Sequence, residues 1–322
     1  MKTQVTKISM LAILGGILIS CNNIVDEIPA NVNGENRSVI NQQEESDINL
    51  RKGNYSLFGA FLTGTEEVPP VNANGAGSVK FEVINNGAGI KYEVRVANTE
   101  GIVAAHIHKA AFGVNGPIMV DLIPSQNASG LENGLIAEGI LTAQDLRPLF
   151  ASNNLNELIS TLNIGLAYVN LHTQSNPGGQ IRGQVSPILP NDNANFTGQL
   201  TGDQEIHPVE TRSKGVAIFR FNKDNSAVNF QLNVTKLENS RFAHIHLGKR
   251  GENGPIVVTL KSESINGVFN GVYAKGILTE SDLSGRLMGG DLIILREAFR
   301  TGNAYVNIHT DNYPPGELRG QL

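Results

Sequence analysis

The sequence predicts a mainly β chain made of two tandem antiparallel β-sandwich domains, each with a short helical excursion. Two observations carry the prediction. Past residue 55 nearly every recognisable segment occurs twice, so that Phe58 returns as Phe196, His106 as His244 and Gly139 as Gly276. Within each copy, apolar residues alternate along short runs that end in Gly, Asn or Pro, which is the period of a half-buried strand. A repeat of roughly 130 residues is large enough to bury its own core, whereas solenoid units are far shorter.

The elements follow in order. FGAFLTGTEEVPPV from Phe58 returns as FTGQLTGDQEIHPV from Phe196 and opens each copy with a strand. VKFEV (79–83) and IKYEVRV (90–96) then alternate around Asn-Asn-Gly-Ala-Gly, a hairpin with a glycine-containing loop, and AIFRF (217–221) and VNFQLNV (228–234) repeat the pattern. AAHIH, PIMVDLI, GLIAEGIL, AYVNLHT and QIRGQV supply further strands. Thr142 with Asp145, and Thr279 with Asp282, fit capping boxes, each predicted to open a helix of moderate length. SPILPNDNAN from Ser186 has two prolines and a polar run, the composition of a linker.

Ahead of the repeats, MKTQVTK, an apolar run from Ile8 to Ile19 and Leu18-Ile19-Ser20-Cys21 have the basic flank, short core and cleavage site of an export signal. Leu-Ile-Ser-Cys resembles the lipobox of bacterial lipoproteins, and Cys21, the only cysteine, is the expected lipid attachment site. The expected organisation is therefore a signal peptide over 1–20, a polar flexible tether over 21–54, a first domain over 55–187, a linker over 188–194 and a second domain over 195–322. The expected localisation is the cell envelope: the outer membrane, with the lipid as membrane partner and the domains periplasmic or surface-exposed. Loss of Lys2 and Lys7 takes the formal charge from −5 to −7 (−5 − 2), and there is no basic run, so nucleic acid is not an expected partner. With no second cysteine, no intramolecular disulfide is expected.

EEVPPV, AHIHKAAFGVNGP, GILTAQDL, AYVNLHT and GGQIRGQ, followed in the second copy by EIHPV, AHIHLGKRGENGP, GILTESDL, AYVNIHT and GELRGQ, resemble the CHRD (chordin-like) domain family. The resemblance covers roughly 55–187 and 195–322. It implies an extracellular or periplasmic β-sandwich module with no established catalytic activity. The copies differ from one another at His207, which stands where Pro69 does, and at Glu317, which stands where Gln180 does.

Six of the seven histidines fall at equivalent places in the two copies. In a strand, alternate residues share a face, so Ile107 is predicted inward and His106 and His108 together on the opposite side. The same rule turns Val169, Leu171 and Ile181 inward, and Tyr168, Asn170, His172 and Arg182 outward. One polar surface per copy results, with His244, His246, Asn307, His309, Glu317 and Arg319 in the second. Two readings stand side by side. The imidazoles are either hydrogen-bonding groups held by backbone carbonyls, with the arginines anchoring loops, or three-nitrogen sites for copper or zinc. Asn-Gly-Pro after each His-x-His reads as turn chemistry, and Gly178-Gly179 as a tight turn.

No strong nucleophile or paired-carboxylate signature is present, so the chain is not expected to be an enzyme. The expected function is a non-catalytic, membrane-anchored binding protein with a protein or glycan ligand and no established cofactor. The alternative is a metal-binding or redox-related protein using His106, His108 and His172 with their second-copy counterparts.

Overall fold

Phe58, Phe81, Ile90 and Val94 of one sheet meet Ile107, Val169, Leu171 and Ile181 of another in the first repeat, all without solvent contact. Each such side chain is worth about 1.5–3 kcal/mol of apolar burial, and together they hold the two layers face to face. The computed structural model describes residues 55–189 and 194–322. The expectations for residues 1–54, Cys21 included, lie outside the described residues.

In the first repeat one sheet runs in the order β6(Leu131–Leu141), β3(Gly89–Glu100), β2(Ala76–Ile84), β1(Leu57–Leu62), β9(Ser186–Pro187). The other runs β5(Ile118–Ile123), β4(Ile102–Lys109), β7(Ala167–Thr173), β8(Ile181–Gln184), and the pairings are antiparallel throughout. The predicted first hairpin is present, and its turn places Asn85, Asn86 and Gly87 at positive φ, which these residue types tolerate best.

The second repeat has β10(Asn195–Leu200), β11(Lys214–Phe221), β12(Val228–Leu247), β13(Ile256–Lys261), β14(Ile265–Leu278), β15(Ala304–Thr310) and β16(Leu318–Gln321). Here β12 is unbroken over 20 residues. Its first half pairs with β11 and β14, and its second half with β13 and β15. One strand thus does what β3 and β4 do together, and the two layers join into a single sheet. Both copies bend at equivalent left-handed residues, Asn98 and Gly101 in the first, Lys236 and Asn239 in the second.

The expected helices need correction. Both capping boxes form, with Asp145 and Asp282 accepting from the backbone of Thr142 and Thr279 at 2.7 Å, but each opens only a three-residue 3-10 turn. Pro148 disfavours helical geometry at Arg147, and in the second copy Gly285 turns the chain at φ +53. The helices come later, at Asn156–Asn163 and Leu292–Arg300. They bury Leu158, Thr161 and Leu162, and Leu292, Leu295 and Phe299, at helical spacing.

The second helix also joins the repeats. Asp291 caps it by accepting from Ile294 N, and takes Arg95 of β3 at 2.5 Å. Arg300, at its other end, donates to Gly59 O at 3.0 Å and Pro187 O at 3.2 Å. The start of the expected linker stretch is itself structured, since Ser186 and Pro187 add to the edge of β1.

Candidate metal centre

Strand register builds the site. On β4 and β7, Ala104 pairs with His172, His106 with Asn170 and His108 with Tyr168, while on β8 Arg182 pairs with Asn170. Residues paired directly across a sheet share a face, so the three histidines rise from one side of two adjacent strands, with Arg182 of the third on the same side. The second repeat reproduces this with Phe242 against His309, His244 against Asn307, His246 against Tyr305 and Arg319 against Asn307.

The sequence places these groups on an open polar surface; the structure corrects this. Asn170, Arg182, Asn307, Glu317 and Arg319 are all at most 3% exposed. The loop after β1 and the loop after β4 fold over them, which the strand pattern alone does not reveal. Ile107, Val169, Leu171 and Ile181 do face the apolar core, so the alternation itself holds. Glu317 stands apart from the histidines in its bonding: its carboxylate accepts from Thr211 at 2.6 Å and Thr310 at 2.8 Å.

In each repeat one nitrogen from each of three imidazoles lies within 4.8 Å of the others. Three ligands at about 2.0–2.1 Å from a tetrahedral or trigonal ion stand roughly 3.3–3.6 Å apart, so small ring rotations complete the geometry. The outward nitrogens are committed elsewhere. His108 Nδ1–H donates to Gly116 O at 2.9 Å and His172 Nδ1–H to Pro177 O at 2.8 Å. His246 and His309 do the same with Gly254 O and Pro314 O. A carbonyl only accepts, so the proton sits on Nδ1 and the lone pair on Nε2, aimed inward. His108 Nε2, His244 Nδ1, His246 Nε2 and His309 Nε2 are buried without a hydrogen-bond partner. Such orphaned acceptors are costly unless something fills the space between them.

Burial pushes His106, His108 and His244 down to about 4, with their neighbouring histidines adding to the effect. His172 and His246 are lowered for the same first reason. These five imidazoles are therefore neutral at pH 7, as metal ligation requires.

The surrounding groups hold the rings in place. Tyr168 stacks on His108 with centroids 4.7 Å apart, and the Arg182 guanidinium lies 3.5 Å from the same tyrosine ring. Tyr305 and Arg319 repeat the arrangement beside His246 at 5.0 and 3.5 Å. Arg182 also donates to Val114 O and Asn115 Oδ1, both at 2.9 Å, and Gly116 N–H donates to the Tyr168 hydroxyl at 3.1 Å. Asn-Gly-Pro is thus more than a turn, because its glycine carbonyl sets the tautomer of a histidine.

Glu67 and Glu205 occupy equivalent positions in the two copies. Asn170 Nδ2 donates to Glu67 Oε2 at 3.1 Å beneath Arg182. Burial raises both carboxyls to about 7, with Arg182 or Arg319 and the asparagine pulling part way back. Gly179, at φ +142, leaves room for that carboxylate, since a Cβ would come within 2.5 Å of it.

Fold and site define a tandem β-sandwich module protein with one histidine cluster in each module. The CHRD domain matches residues 58–185 and again 196–322, and the chain belongs to the CHRD domain family, a family of extracellular binding modules. Chordin of Xenopus laevis is 24% identical over 281 residues, covering 81% of this chain and 26% of Chordin, so the chain spans about a quarter of that protein's length.

Proposed function

We propose that this chain is a membrane-anchored, extracytoplasmic metal-binding protein that holds one zinc or copper ion on three imidazoles in each CHRD domain. The observation that carries the reading is the convergence of three inward nitrogens per domain, with the opposite ring nitrogen tied to a backbone carbonyl in His108, His172, His246 and His309. Neutral imidazole donors suit zinc and copper, and three protein ligands leave a fourth position for water or a ligand donor. Two such positions on one anchored chain favour a partner that presents repeated donors.

Metal content and titration of the full-length chain test this. Two equivalents of zinc or copper are expected, with one lost in His172→Ala, the other in His309→Ala and both in the double variant. Because burial holds His106, His108 and His244 down to about 4, uptake should be flat above about pH 6 and fall below about pH 5 as protons compete. Retention of both ions by the double variant would sink the reading.

The anchor has its own measurement. Cys21→Ser is expected to move the protein from the membrane to the soluble fraction of a cell fractionation; unchanged membrane association would refute lipid attachment at that residue.

A further inference from the structure

We infer that the two histidine sites are unequal, with Asp121 making the first a tighter metal site than the second. The inference rests on the metal-binding reading above. Asp121 of β5 pairs in register with His106, and its Oδ1 lies 3.4 Å from His106 Nε2. Arg147 holds the same oxygen through Nε at 3.2 Å and Nη2 at 2.7 Å, fixing the carboxylate in place. A carboxylate there favours the ring proton on Nε2 and leaves the Nδ1 lone pair facing His172.

That assignment exposes a conflict in the metal-free site. His172 Nδ1–H is already given to Pro177 O, so His172 Nε2 carries a lone pair, and it lies 3.0 Å from His106 Nδ1. With its proton on Nδ1, neutral His106 serves His172 but turns a bare nitrogen to Asp121. With the proton on Nε2 it serves Asp121 but sets two lone pairs against each other. A cation between Nδ1 and Nε2 satisfies every group at once, and the carboxylate then raises the basicity of the bound imidazole.

The second repeat lacks this support. Thr259 pairs with His244 where Asp121 pairs with His106, and Ser284 takes the place of Arg147, its N–H bonding Val257 O as Arg147 N–H bonds Met119 O. Phe242 stands in the position of Ala104 and stacks on His244 with centroids 5.9 Å apart. The ring of His244 is therefore braced by an apolar neighbour, and no carboxylate meets it among the described residues.

Zinc titration calorimetry on two full-length chains separates the sites: His309→Ala keeps the first and His172→Ala keeps the second. The first is expected to bind about 10–100-fold tighter, the usual worth of a carboxylate behind a ligating histidine. Asp121→Asn in the His309→Ala chain should remove most of that advantage, and Thr259→Asp in the His172→Ala chain should raise affinity, a gain that misfolding cannot produce. In the metal-free protein, Asp121→Asn should also shift the His106 tautomer seen by nitrogen NMR. Equal affinities, with Asp121→Asn and Thr259→Asp both silent, would overturn the inference while leaving the metal-binding reading standing. Failure of either chain to take up zinc or copper would instead refute that reading, and the inference with it.

Discussion

Gly254→Ala is expected to destabilise the protein by about 3 kcal/mol or more and to cripple the second histidine site while sparing the first. A Cβ at Gly254 would fall 1.3 Å from Leu247 O and 2.4 Å from Leu247 C. Both are backbone atoms of β12, so no side-chain rotation can relieve the overlap and the loop itself must move. The movement withdraws Gly254 O from His246 Nδ1, now 2.9 Å away, and Gly254 N–H from the Tyr305 hydroxyl at 3.2 Å. His246 then loses the acceptor that keeps its Nε2 lone pair inward, and zinc affinity of the second site should fall together with stability. Gly267→Ala is the control. Gly267 sits at φ +78 with no atom within 4 Å of a built Cβ, so only backbone strain of about 1–2 kcal/mol is expected. Urea unfolding of the two variants decides the matter, and a Gly254→Ala chain no less stable than Gly267→Ala would contradict the tight approach.

The difference between these glycines shows what the sequence could and could not convey. Alternation along AAHIH and AYVNLHT is local, so it places Ile107, Val169 and Leu171 inward and gathers His106, His108 and His172 on one face. Duplication strengthens the case because the same spacing survives in a copy whose core has drifted from Val79, Tyr92 and Val94 to Ala217, Phe230 and Leu232. What lies above that face depends on chain closure. Asn115 reaches Val68 O across 47 residues, and Asn170 reaches Glu67 across 103. No periodicity encodes such contacts, so a covered polar layer read as an open surface. The helices were hidden for another reason. The Thr-x-x-Asp boxes upstream close single turns, the first helix has Leu155 at its N-cap with no side-chain cap at all, and the second has Asp291 there without an acidic partner three residues on. Asp121 was hidden because it is not repeated, and a search for recurrence passes over a residue whose importance lies in its replacement by Thr259.

Arg182→Ala should cost about 3–5 kcal/mol at pH 8, because it removes a buried cation whose charge acts on the Glu67 carboxylate and strands its acceptors Val114 O and Asn115 Oδ1. The side chain is 1% exposed, lies over Tyr168, and holds the loop after β4 through Val114 O and Asn115 Oδ1. Arg182→Lys should recover little, since an ammonium cannot span both acceptors while stacking on the ring. The pH dependence identifies which loss dominates. Glu67 titrates near 7 in the fold against 4.5 as its ordinary value, so it binds a proton in the folded state that the unfolded chain has released, and stability falls as pH rises from 4.5 through 7. Arg182 holds that folded value down; without it the carboxyl titrates higher still and the alkaline loss deepens. The cost of Arg182→Ala should therefore be larger at pH 8 than at pH 5. Adding Glu67→Gln to Arg182→Ala should restore part of the stability at pH 8 and almost none at pH 5, where the carboxyl is already protonated. Chemical unfolding of the four chains at both pH values forms a double-mutant cycle. A coupling that does not change with pH would mean that Arg182 acts through its loop bonds and its stack on Tyr168 alone, and that the buried carboxylate beneath it does not feel its charge.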